Sequence, residues 1–177
     1  MTSCYLNKMK QQEFLIEEIW ILSFGGAFQR SGIYSNATEA QRNTFRKKLR
    51  TYIEDNLLPQ YKNSVSEEQH IANLLNIIKF STNFKDILSN GKLNLGISQK
   101  LLNLVLKYLW CLGEIATPPH FPIDRIIQQK INNKPLVNWT GLAQIEEYLK
   151  IIRLAEVLAK KQNMSLAQWE LENFSRR

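Results

Sequence analysis

Cysteine is scarce in this chain: Cys4 and Cys111 are the only two in 177 residues. Two cysteines cannot build a disulfide framework, and they fall short of the thiol ligands of a structural zinc or iron–sulfur site. The only histidines, His70 and His120, complete no zinc-ligand spacing, so neither a metal nor a cofactor is expected. No apolar run approaches the roughly 18 residues of a membrane-spanning helix. The opening MTSCYLNKMKQQEF has no signal-peptide apolar region, so no membrane contact and a reducing, cytoplasmic location are expected. Strand-type alternation, internal repeats and low-complexity tracts are missing too. Acidic residues are outnumbered by basic ones, 16 to 23, and the resulting net charge of +7 is consistent with a polyanionic partner.

What is present is an ordinary globular composition, 44% hydrophobic and 22% charged. It implies a single folded helical domain over residues 1–177. Helical periodicity runs almost throughout. Phe14, Ile16, Ile19, Trp20 and Ile21 mark an opening helix expected to stop before Gly25 and Gly26, leaving FGGAFQRSG as a loop. Ala37, Phe45, Leu49, Ile53 and Leu57 outline a second helix halted by Pro59. Ser66 and Gln69 read as a capping box for a third. A helix over about 97–112 is apolar on most sides, hence central, and Gly113 ends it. The rigid stretch TPPHFP leads into a helix over 122–133, with Pro122 in its first turn. Trp139, Leu142, Ile145, Leu149, Ile152 and Leu158 trace a long helix before a last one in MSLAQWELENF. The fold class is all-α, a bundle of about seven to eight helices in two closely packed lobes.

Basic residues concentrate in two places. RNTFRKKLR carries Arg42, Arg46, Lys47, Lys48 and Arg50 with no acid; between 79 and 107, five lysines face the single acid Asp86. Solvated helix faces account for such clusters as readily as a binding surface does. The second cluster, however, surrounds an oddity. The central helix opens with Gly96 and sets Lys100 in its first turn, where a cation meets the positive end of the helix dipole. Asp124 follows 24 residues later, near the start of the next helix. A helix out and an extended segment back can bring the two into one cleft.

These residues resemble the helix-hairpin-helix DNA glycosylases of base excision repair. That family carries a Leu-Pro-Gly-Val-Gly-x-Lys hairpin opening a long apolar helix, followed by a Pro-Val-Asp segment. Here Asn94-Leu95-Gly96-Ile97-Ser98-Gln99-Lys100 and Pro122-Ile123-Asp124-Arg125 correspond to them. The hairpin's Leu-Pro is Asn94-Leu95 here, its second glycine is Ser98, and the interval from Lys to Asp is longer than in the commonest members. The last feature is closer to the archaeal 8-oxoguanine glycosylases. The match covers about residues 84–127, with the hairpin element over 84–113.

The resemblance implies an N-glycosylase that flips a modified base out of double-stranded DNA and excises it, leaving an abasic site, with or without lyase cleavage. Repair and antiviral defence against modified phage DNA are both compatible with it. Lys100 and Asp124 take the catalytic positions. Gly96, Ile97, Ser98 and Gln99 would present backbone amides to a DNA phosphate, with Lys92 and Lys107 as outer contacts. Phe28 and Gln29, in the loop after the first helix, would enter the base stack or touch the flipped base, and Trp139 would line the pocket, although a core role fits Phe28 at least as well and fits Trp139, at the opening of an apolar helix, better. No obligate protein partner is implied. Two other classes compete: a non-catalytic helical DNA-binding module, which has no need of Lys100 and Asp124 together, and a helical protein-interaction domain, which needs no DNA affinity.

Overall fold

In the computed structural model, which describes residues 2–29, 31–132 and 134–174, the first helix α1 (Thr2–Phe28) runs straight through Gly25 and Gly26. The loop expected there begins only at Gln29. A β-carbon on Gly26 would lie 2.7 Å from Leu104 Cδ1, so the missing side chain lets α1 cross close over the central helix. That packing outweighs the cost of about 1 kcal/mol for glycine inside a helix. The buried face of α1 is also narrower than its apolar content suggests. Ile19 and Trp20 are buried, whereas Phe14 and Ile21 are exposed.

α2 (Glu39–Asn56) starts at a full capping box between Thr38 and Gln41, and its buried stripe is Phe45, Leu49 and Ile53. Pro59 falls in a 3-10 turn, Leu58–Lys62. α3 (Glu67–Ser81) is capped by Ser66 alone, because the Gln69 side chain turns forward to Asn73 instead of back to the cap. After a 3-10 turn (Thr82–Phe84), residues 32–35 and 87–89 meet through an isolated bridge between Tyr34 and Leu88. No strand forms among the described residues.

α4 (Leu95–Cys111) is the centre of the molecule, with 13 of its 17 residues buried. The extended stretch after Gly113 returns along it to α5 (Arg125–Lys130). Helix α5 is shorter than the 122–133 expected, because Asp124 caps it with an extended backbone and leaves Pro122 outside it. A separate 3-10 turn (Trp139–Gly141) precedes α6 (Ile145–Lys161) and α7 (Leu166–Asn173). The expected long helix from Trp139 is therefore two elements. Buried side chains from all seven α-helices belong to one hydrophobic cluster, so the interior is continuous.

A buried lysine and aspartate pair beside a cleft

The start of α4 shows why Gly96 is glycine. A β-carbon there would lie 1.7 Å from the carbonyl oxygen of Trp139. The 139–142 backbone presses on this spot, and the Gly96 N–H donates to Leu142 O at 2.9 Å. Asn94, the cap residue, accepts from Ile97 N–H at 2.9 Å and donates its own amide to Thr140 O at 2.7 Å. Ser98 N–H and Ser98 Oγ both donate to Asn94 O.

This geometry corrects one expectation. Gly96, Ile97, Ser98 and Gln99 are all buried, and the first three amides already have partners, so these residues do not form an open phosphate site. The hairpin end of α4 is a packing surface for residues 138–142. Lys107 is likewise engaged, in an ion pair with the buried Glu170 at 2.6 Å and with its ammonium 4.5 Å from the Phe174 ring centroid. Lys92 stays in solvent.

Gln99 has a different task. Its side-chain N–H donates to Ile123 O at 2.9 Å, and its Oε1 accepts from Ile123 N–H at 3.0 Å. One turn on, Asn103 donates to Phe121 O at 3.0 Å. His120 Nδ1 meets the Tyr148 hydroxyl at 2.8 Å, and its Nε2 meets Glu67 at 3.0 Å. Phe121 and Ile123 are thus fixed to α4, and His120 to α6 and α3. Because Gln99 precedes Lys100 and Ile123 precedes Asp124, the clamp sets the pair in register.

Lys100 Nζ donates to Asp124 Oδ2 at 2.8 Å, while Asp124 Oδ1 accepts from Ile127 N–H at 2.9 Å and caps α5. The Lys100 side chain is 7% exposed and that of Asp124 15%. Burial pulls the Lys100 ammonium below the usual lysine range, and the Asp124 carboxylate opposes that shift. The Trp139 ring centroid lies 5.9 Å from Lys100 Nζ.

Lys100 and Asp124 line a cleft of about 580 Å³, together with Gln29, Trp139, Arg125 and Tyr108. That volume lies within the range typical of sites for small ligands. Four of the residues singled out in the sequence, Lys100, Asp124, Gln29 and Trp139, therefore meet. Phe28 does not join them. It is buried against Phe24 and Phe45, a core ring rather than a wedge for the base stack. His120 also faces inward, away from this cleft. Spacing alone could not reveal Gln99 as a clamp, since its partner stands 24 residues away. Among the described residues no three His, Cys, Asp or Glu side chains converge as a metal site, and no helix is long and apolar enough to cross a membrane. Comparison with protein-family models, with curated proteins and with solved structures yields no match to this chain.

Proposed function

We propose that this protein is a DNA glycosylase that excises a modified base held in the α1/α4/α5 cleft, with Lys100 and Asp124 as its catalytic residues. The observation that carries the reading is the 2.8 Å contact between a buried amine and a carboxylate at the edge of a cleft of about 580 Å³. A lysine and an aspartate held together away from water are costly to maintain without a use. Their juxtaposition matches a reaction that needs a nucleophile and a proton acceptor side by side.

The chemistry follows from the two groups. A nucleotide extruded from the duplex brings its C1′ atom toward Lys100. Asp124 takes one proton from the ammonium, leaving a neutral amine and a neutral carboxylic acid whose proton is then available to the departing base. The amine attacks C1′, and the bond to the base breaks with its electron pair leaving on the base, which is then protonated. Loss of a second proton from Lys100 nitrogen and opening of the C1′–O4′ bond, with O4′ protonated, give a Schiff base. Removal of a C2′ proton then expels the 3′ phosphate and cuts the strand. The lowered lysine pKa supports the amine route, since less free energy is needed to deprotonate it. Trp139 offers a ring face beside the amine and Gln29 an amide at the cleft edge.

The test is release of free bases, read by mass spectrometry, from DNAs carrying oxidised, alkylated or phage-type hypermodified bases. Release by the wild type that is lost in Asp124→Asn is the expected outcome, and the substrate that yields it distinguishes repair from defence. A chain that binds every one of these DNAs in a salt-sensitive way yet releases no base is a binding module, and the proposal fails.

A further inference from the structure

The cluster RNTFRKKLR has no part in the cleft just described, and it lies along a larger groove. Between α1 and α2 runs a hollow of about 910 Å³ whose floor includes Trp20, Phe24 and Tyr34 and whose rim carries Arg42, Arg46 and Lys47. The Arg42 and Arg46 guanidinium carbons lie 5.2 and 6.0 Å from the Tyr34 ring centroid, so the aromatic face holds both heads on the rim. Their only carboxylate partner among the described residues is Glu39, at 3.9 and 3.6 Å, beyond hydrogen-bond distance. Arg42 Nε is sealed from solvent with no hydrogen-bond partner, and Lys47 is exposed with no partner among the described residues. Arg50, one turn on, differs: Glu17 and Glu54 neutralise it at 2.6 and 2.8 Å. Three under-compensated cations therefore border an aromatic hollow.

We infer that this groove binds a nucleotide unit of a DNA strand, its base against Phe24 and its phosphate on Arg42, Arg46 and Lys47. Both chemical needs of such a unit are met in one place: a ring face for a base, and guanidinium and ammonium donors for a phosphate. The position fits as well. Ile21 and Gly25 of α1, with Gln29 just past its end, border this groove and also the Lys100–Asp124 cleft, so the two hollows lie on either side of one helical ridge. Gly25 has no atom within 4 Å of where a side chain would begin, leaving the ridge low. A strand crossing it would place one nucleotide at Lys100 and a neighbouring, unstacked one among the arginines. This placement rests on the glycosylase reading; the affinity of the groove for DNA does not. The groove also supplies the backbone anchor that the occupied amides of 96–98 cannot.

The experiment is titration of a fluorescent duplex containing one abasic site, followed by anisotropy at several salt concentrations. Arg42→Gln/Lys47→Gln is expected to weaken binding at least about tenfold and to lower the slope of log affinity against log salt by about 2. Lys160→Gln/Lys161→Gln, the same change of net charge at the far end of α6, leaves the slope within about 1 of the wild type. Phe24→Leu, which keeps bulk but removes the ring, weakens binding several-fold with an unchanged salt slope. Equal losses in both double variants would mean diffuse attraction to a basic protein and overturn the site. So would competition by heparin that responds to Phe24→Leu as DNA does, because heparin has no base to stack. The two proposals separate cleanly: an unaltered titration in Arg42→Gln/Lys47→Gln beside base release lost in Asp124→Asn sinks the groove alone. Weakened binding in that variant, with no base released by the wild type, sinks the glycosylase alone.

Discussion

A lysine at 6% exposure with one carboxylate partner is expensive to hold in a folded chain, and removing either member leaves the other charge stranded. Asp124→Asn can still cap α5 through its side-chain oxygen but leaves the Lys100 ammonium without its counter-charge. It is expected to lose about 3 kcal/mol in urea unfolding. Lys100→Met/Asp124→Asn removes both charges and is expected to recover most of that loss while remaining inactive in base release. A double variant no more stable than Asp124→Asn would show that the pair is not what strains the single one. At this scale the pair itself was legible, because a lysine in an apolar first turn and an aspartate 24 residues on are local anomalies. The reason for Gly96 was not. Its neighbour, the Trp139 carbonyl, lies far along the chain, and no local pattern announces it. The same holds for Lys107, whose partner Glu170 belongs to the last helix.

Among the elements, glycine marks two opposite situations. Gly96 has a carbonyl where its side chain would be, so Gly96→Ala must push the 139–142 turn away from α4. A loss of about 1–3 kcal/mol is expected, with a change in the fluorescence of the Trp139 environment. Gly25, in the last turn of α1 and unobstructed, is the reverse. Gly25→Ala is expected to stabilise by about 0.5–1 kcal/mol through reduced freedom of the unfolded chain. Both are read from urea midpoints at constant slope. If Gly96→Ala is neutral, the turn does not press on α4 as described. Element types were mostly readable because the 3.6-residue periodicity is strong in α2, α3, α4 and α6. Boundaries failed where tertiary packing outweighed local preference. Gly25 and Gly26 looked like a break but serve the α1/α4 crossing, and Trp139 looked like a helix start but sits in its own turn against Gly96.

Across the whole molecule, the feature with the clearest pH signature is the buried network beneath α4. His70 is 0% exposed and bonds Tyr61 through Nδ1; its ring meets that of His120 edge-on, with a centroid distance of 4.8 Å. Burial lowers both imidazoles below 6.5, with His120 depressing His70 further and Glu67 partly restoring His120. Unfolding returns them to about 6.5, so just below that pH the unfolded chain binds more protons and stability rises with pH. Acidification from about pH 7.5 to about pH 5.5 is expected to cost about 1–2 kcal/mol. Glu67, held below its usual range by Arg153 and His120, adds a further loss only nearer pH 4. His70→Leu removes one titrating group and should flatten the urea-midpoint profile; an unchanged slope would assign the acid sensitivity elsewhere. The all-α class was evident from periodicity alone. The network was not, since it joins α3, α6 and the 120–123 stretch through side chains that look unremarkable one by one.

The central claim is that Lys100 is an amine nucleophile served by Asp124, and the most direct test bypasses the unknown base. Duplex DNA with a single abasic site presents an aldehyde to the cleft, and borohydride fixes any Schiff base formed there. Wild-type protein is predicted to form a covalent adduct that peptide mapping assigns to Lys100, with none in Lys100→Gln and slow formation in Asp124→Asn. An adduct formed equally well by Lys100→Gln, or no adduct from wild-type protein that demonstrably binds the abasic duplex, would contradict the account.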